Sequence, residues 1–377
     1  MNLKFIKYYL YILPIYSLIG IILSIFRTVY SESFTLVFLF VGFIFNFLIV
    51  IVGKKYLVNK LMGPLIIFLL ISLSVGFFNG NELSRRYITD FMLPFFFFSK
   101  ILIFTQFWKY YNFEKFLRYY VKTAFWGSII LLPLTYYLFQ SAGSTRLAIF
   151  PPMELPFSLY MQSGGLLLLI SLFVILLYGK RAQLVGALGV LLVYFFYFKR
   201  KKTVKSILVL FIIIFLGVSL INIYEDNLAI RRLSYTISQF KESDNSLKGL
   251  KKISSGREEE IFLVMDKLSF WSTLFGFGLG IELEVSGRDK TIGNIHFSPL
   301  SFIMKYGVFF TIFLYTFIFK HLVGRKNILK GLNSSYIAAL GTILFVFIES
   351  IFAYTLFVNS IFPIAFGYVR LKHLKQI

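Results

Sequence analysis

The 377-residue sequence predicts an all-α polytopic integral membrane protein, and three observations carry that prediction. The chain is 58% hydrophobic and 20% aromatic with only 15% charged residues, a balance foreign to a soluble globular domain. Apolar runs near the ~20 residues that cross a bilayer as helix recur along it. These runs are continuous rather than alternating, so helices, and not the strands of a barrel, are the elements that satisfy their own backbone in lipid.

In chain order the runs cover about residues 8–26, 34–52, 61–78, 88–107, 120–139, 157–177, 182–198, 203–223, 298–319, 334–354 and 355–369, the last being short. About 11–12 transmembrane helices are expected. The first run continues at spanning length without a small-residue cleavage site and reads as a first anchor rather than a cleaved leader. Around the 157–177 run, Pro151, Pro152, Pro156 and Gly164-Gly165 are placed to break one apparent span into a re-entrant piece or two short helices. With no cysteine, disulfides, thiolate metal sites and a cysteine nucleophile are excluded.

The net charge of +22 does not point to nucleic acid, because of where it lies. Residues 224–296 hold ten Lys/Arg and eleven Asp/Glu, so the excess belongs to short loops such as Lys199–Lys205 (KRKKTVK). Basic short loops mark the cytoplasmic side. Lys4 and Lys7 taken as inside, with eight crossings, put residues 224–297 inside as well; the larger cluster at Lys199–Lys205 puts them outside. Following the larger cluster gives three parts: an N-terminal transmembrane bundle (1–223), an extracytoplasmic helical loop domain (224–297) and C-terminal transmembrane helices (298–377).

Within the loop, LAIRRLSYTISQFKE spaces Ile230, Leu233, Ile237 and Phe240 as one face of an interfacial helix. A second helix opens at SSGREEEIFLVMDKLSFW: Ser255 and Glu258 form a capping box, and Ile261, Val264, Met265 and Leu268 its apolar face. Arg257 then lies in the first turn, where a cation opposes the helix dipole. Either an anion bound nearby or a surface pair with Glu260 accounts for it. Gly276, Gly278 and Gly280 form GxGxG, which lacks both the preceding strand of a dinucleotide fingerprint and the GK[ST] of a P-loop. Their use is a backbone free to turn at positive φ, or simply a return toward the membrane.

His296 stands at the mouth of the next span, as an interfacial polar residue or as a base near neutral pH. No metal is expected, since HxxxH, HExxH and Asp-x-Asp are absent and Glu282 with Glu284 is a poor substitute. Arg181 and Arg146, at span ends, either snorkel or reach a buried anion. With Arg257 they would make a cationic set suited to phosphate. Arg288 is left as a solvated residue or a contact to a bound substrate.

The order of these features resembles the O-antigen polymerase and O-antigen ligase families of bacterial envelopes, across most of the chain. The resemblance rests on the Gly-Lys-Arg turn at Arg181, SGREEEIF, LFGFGLG, and NIHFSPLSFIMKYGVFF with its Tyr-Gly pair. Phe297 replaces a frequent Asn after the histidine, and the region before Arg181 is short.

The resemblance implies a metal-independent glycosyltransferase of GT-C type, without cofactor, in the bacterial cytoplasmic (inner) membrane. It would act on undecaprenyl-diphosphate-linked oligosaccharides as donor and acceptor. His296 would activate or orient the acceptor hydroxyl, Arg257, Arg181 and Arg146 would stabilise the diphosphate, and the glycine turn would hold Arg257 and His296 together. A polymerase is preferred to a ligase that transfers glycan to lipid A-core, and a chain-length regulator is an expected partner. A transporter or lipid-linked sugar flippase is the alternative from another class, kept by Glu349 inside an apolar run.

Overall fold

The computed structural model describes residues 3–29, 33–142, 151–163, 165–178, 180–198, 257–284, 291–322 and 333–374. They are overwhelmingly helical. Along the chain run α1 (Leu3–Val29), α2 (Ser33–Gly53) with a 3-10 turn (Lys54–Tyr56), α3 (Met62–Phe78), α4 (Arg85–Phe107), α5 (Phe113–Ala142), α6 (Glu154–Ser163), α7 (Leu166–Leu177) and α8 (Arg181–Phe198). Then come α9 (Arg257–Lys267), α10 (Phe270–Phe275), strands β1 (Leu283–Glu284) and β2 (Thr291–Ile292), α11 (Ser298–Leu322), α12 (Ser334–Phe352) and α13 (Ile361–Leu374).

Among the described residues five helical stretches are long and apolar enough to cross a bilayer: Lys4–Ser24, Leu36–Tyr56, Arg85–Phe107, Ser298–Leu322 and Ser334–Phe352. The architecture is that of an all-α polytopic membrane protein. Met62–Phe78, Leu166–Leu177 and Ala182–Phe196 are apolar but shorter. The 157–177 run is divided, as its glycines suggested: Gly165 takes φ +77° and separates α6 from α7. The run at 203–223, the boundary at 223/224 and the expected interfacial helix around Ile230–Phe240 lie outside the described residues.

The chain forms two compact units that interleave in sequence. The first takes residues 1–48, 112–249 and 333–348. Its helices α1 and α5 are tied where Tyr119 OH donates to the Tyr11 carbonyl at 2.9 Å, and Gly127 gives Leu18 room against α5. Gly186 and Gly189 lie on one side of α8 and let α12 approach, the first against the Phe345 carbonyl and the second against Ile348. Small residues at such crossings are how membrane helices come close enough to pack. Phe125, Phe157, Ile175, Tyr178 and Phe345 fill the core between them. Gln183, fully buried at the start of α8, donates to the Pro151 carbonyl at 2.8 Å.

The second unit takes residues 49–111, 250–332 and 349–377. Its centre is the aromatic run of α4: Phe97 and Phe98 are fully buried and meet Phe357, Phe362, Phe313 and Phe317. Against α4 lies α13, where Trp108 Nε1 donates to the Ile364 carbonyl at 3.0 Å and Gly367 clears space for Phe104. A small separate core forms where the loop meets α11, from Val264, Leu283, Ile295, Leu300 and Met304. Of the apolar face expected on α9, Ile261, Val264 and Leu268 join this core, whereas Met265 is exposed. The helix is rotated so that Val264 points inward.

Helix α11 is broken at Gly307, which adopts φ +82° and ψ 171°. The break takes carbonyls out of the helical ladder, and in a span each must find a partner within the protein. That requirement sets up the site.

Candidate functional site

The glycine stretch is an extended segment laid between α3 and α11. Phe277 N–H donates to the Met304 carbonyl at 2.7 Å, one of the groups freed near the α11 break, and Leu279 N–H donates to the Ser72 carbonyl of α3 at 3.1 Å. The outward carbonyls are met by side chains: Asn79 and Asn81 Nδ2 both donate to Phe277 O, and Asn81 also to Leu279 O at 2.8 Å. Gly280 N–H donates to Asp90 Oδ2 at 3.2 Å. The backbone polar groups of a buried loop are thereby satisfied one by one.

Gly276, Gly278 and Gly280 all take positive φ, at +79°, +88° and +74°. A Cβ at Gly276 would lie 2.6 Å from the Lys305 carbonyl oxygen, and one at Gly278 would fall on the Gly76 backbone. The segment is thus glycine for close backbone approach as well as for turning. Its geometry is that of an anchor.

Beneath the anchor is a buried ion pair. Lys305 Nζ lies 2.5 Å from Asp90 Oδ1, with the two side chains 0% and 3% exposed. Lys305 Nζ also donates to Asn294 Oδ1 at 2.5 Å and stands 5.0 Å over the Tyr354 ring. Tyr306 OH donates to the Asp90 carbonyl at 2.7 Å. An unpaired charge here would carry the full cost of desolvation, so each partner requires the other.

The hairpin of β1 and β2, registered Leu283 to Ile292 and Glu284 to Thr291, rises from this base. Glu282 at its foot pairs with Arg86 at 2.7 Å and accepts from Thr291 Oγ1 at 2.8 Å. The Arg86 side chain lies over Gly293, where no Cβ obstructs it. The glutamate pair doubted as a metal site therefore has a structural use at Glu282. Among the described residues no group of three metal-ligating side chains occurs.

His296 follows directly. Its Nδ1 lies 3.0 Å from Glu260 Oε2, and the same oxygen accepts from the His296 backbone N–H at 3.3 Å. Glu260 is on α9, one turn in from Arg257. A carboxylate only accepts, so a proton sits on Nδ1, and in the neutral imidazole the lone pair is then on Nε2; the side chain is 47% exposed. A histidine so oriented can accept a proton from a hydroxyl brought to Nε2.

Of the residues singled out from sequence, the structure brings His296 to the first turns of the helix that Arg257 opens, and sets the three glycines in the same unit. Arg257 begins α9 and Arg181 begins α8 in the first unit, but both side chains lie outside the described ones, as do Arg146 and Arg288 altogether. Glu349 is buried in α12. Asp90, Lys305, Asn294 and Arg86 escaped the sequence reading, and Glu260 entered it only as a surface partner for Arg257. Asp90 and Lys305 carried a usable signal, since each is an ionisable residue inside an apolar run.

Comparison of the chain with protein-family models, with curated proteins and with solved structures finds no match.

Proposed function

We propose that the protein is a membrane glycosyltransferase of GT-C type that joins undecaprenyl-diphosphate-linked oligosaccharide units into polymer at the outer face of the bacterial cytoplasmic membrane. The observation that carries the reading is the Glu260–His296 pair at the mouth of a span, beside the helix that begins with Arg257. It supplies an oriented base at the level where an amphiphilic donor and acceptor meet. The sequence resemblance supplies the substrate class.

In the proposed reaction an acceptor sugar hydroxyl bonds to the donor's anomeric carbon while the bond from that carbon to the phosphate oxygen breaks. The hydroxyl proton passes to His296 Nε2, and the electron pair leaves with the lipid diphosphate. The resemblance assigns to Arg257 the negative charge that develops on the leaving group, which a guanidinium stabilises without a metal.

The test is polymer formation from lipid-linked repeat units by purified protein in nanodiscs, and by cells. His296→Ala and Arg257→Ala should each abolish polymer while the protein stays in the membrane, and a wild-type glycan ladder in both sinks the reading. A cell lacking the gene should carry single repeat units on lipid A-core. Polymer that accumulates on the lipid carrier and never reaches core would assign the ligase reaction instead.

A further inference from the structure

The Asp90–Lys305 pair holds both arms of the hairpin that leads to His296. Asp90 Oδ2 takes the N–H of Gly280, three residues before β1, and Lys305 Nζ takes Oδ1 of Asn294, two residues after β2. Asn294 is in turn two residues before His296, and Ile295 between them is buried in the loop core. On the far side Ser298 Oγ donates to the Ala353 carbonyl at 3.2 Å. The short stretch carrying His296 is therefore fixed at both ends, while the ring itself is half-exposed.

A charge pair buried in a span is an expensive way to hold a loop, since apolar residues of similar volume stabilise a core as well or better. What the pair offers beyond adhesion is direction. The ammonium group donates to Asp90 and Asn294 at fixed angles, and Asp90 receives a backbone N–H with its second oxygen.

We infer that Asp90, Lys305 and Asn294 are positioning residues that set the hairpin so that His296 meets Glu260. This rests on His296 being the acceptor-activating base, but the geometry it describes exists without turnover and is measured without it.

The experiment follows the rate at which diethylpyrocarbonate modifies His296 in the full-length protein in nanodiscs, read by peptide mass spectrometry, with His321 and His373 as internal references. Glu260→Ala sets the rate of a freed ring. Asn294→Ala, which keeps the ion pair, and Asp90→Leu/Lys305→Met, which removes the pair without leaving a lone charge, should raise the His296 rate at least threefold toward that value. The rates of His321 and His373 should stay within twofold, which a general loosening of the fold would not allow.

A His296 rate within twofold of wild type, or below it, in both variants overturns the inference. So does a rise matched at the two reference histidines. The same preparations report turnover: kcat should fall at least tenfold with KM within twofold. If the wild-type protein forms no polymer but the modification rates move as stated, the functional reading fails and the positioning role stands.

Discussion

Glu260 and His296, 36 residues apart in the chain, meet with 3.0 Å between Oε2 and Nδ1, and the same carboxylate oxygen accepts the histidine's backbone N–H. One acidic side chain thus fixes both the ring and the chain that bears it. Removing it changes the tautomer preference of the imidazole as well as its place.

Glu260→Ala should therefore lower kcat for polymer formation by about tenfold or more, less than the roughly 10²- to 10⁴-fold expected for losing a general base in His296→Ala. A double variant should be no worse than His296→Ala alone, because the glutamate acts through the histidine. Steady-state kinetics on lipid-linked repeat units check both statements.

Gly278 has no steric room and the wrong φ for any other residue. Gly278→Ala should cost more than about 2 kcal/mol, from a left-handed backbone at roughly 1–2 kcal/mol plus displacement of Gly76. Gly63→Ala, with nothing within 4 Å of the added carbon, should stay within about 1 kcal/mol of wild type. Thermal unfolding in detergent separates the two.

The two ion pairs near the hairpin should behave differently. Lys305→Met leaves the Asp90 carboxylate buried without a counter-charge and should cost about 3–5 kcal/mol. Arg86→Gln breaks a pair whose side chains are 31% and 40% exposed, and should cost under about 1 kcal/mol. Unfolding midpoints at low and high salt test this, since only the second pair is open to screening.

In the first unit, a side chain at Gly186 meets the Phe345 carbonyl oxygen at 2.9 Å, a backbone atom that cannot swing away. Gly186→Leu should destabilise by about 1–3 kcal/mol or more. Gly189→Ala should be milder, because its nearest neighbour is the flexible tip of Ile348 at 2.7 Å. Accumulation in the membrane and unfolding midpoints order the two.

The helices were legible in the sequence because continuous apolar runs have few alternatives in lipid, and the break at Gly165 was legible because two adjacent glycines weaken a helix anywhere. The capping box expected of Ser255 and Glu258 lies outside the described residues and side chains. What escaped depends on partners far apart in sequence. Gly278 is recognisable as a packing residue only once Gly76 is known to face it, and Leu279 bonds to Ser72 from more than 200 residues away. Asp90 and Lys305, 215 positions apart, were passed over because nothing local reveals that they are one group. His296 was noticed as a rare residue in a suggestive place, but Glu260 was read as a surface partner for Arg257, and nothing local links it to a histidine 36 positions on.

The backbone contacts of the glycine segment tie together three stretches of chain. A side chain at Gly278 is excluded by the main chain of Gly76, and one at Gly276 by that of Lys305 and Gly307, while side chains at Gly76 and Gly307 would meet the main chain of Leu279 and Leu274. Related proteins would be free to alter the hairpin and its charges, yet should keep these glycines as a set. Their joint retention offers a way to recognise distant kin by the architecture of the loop anchor.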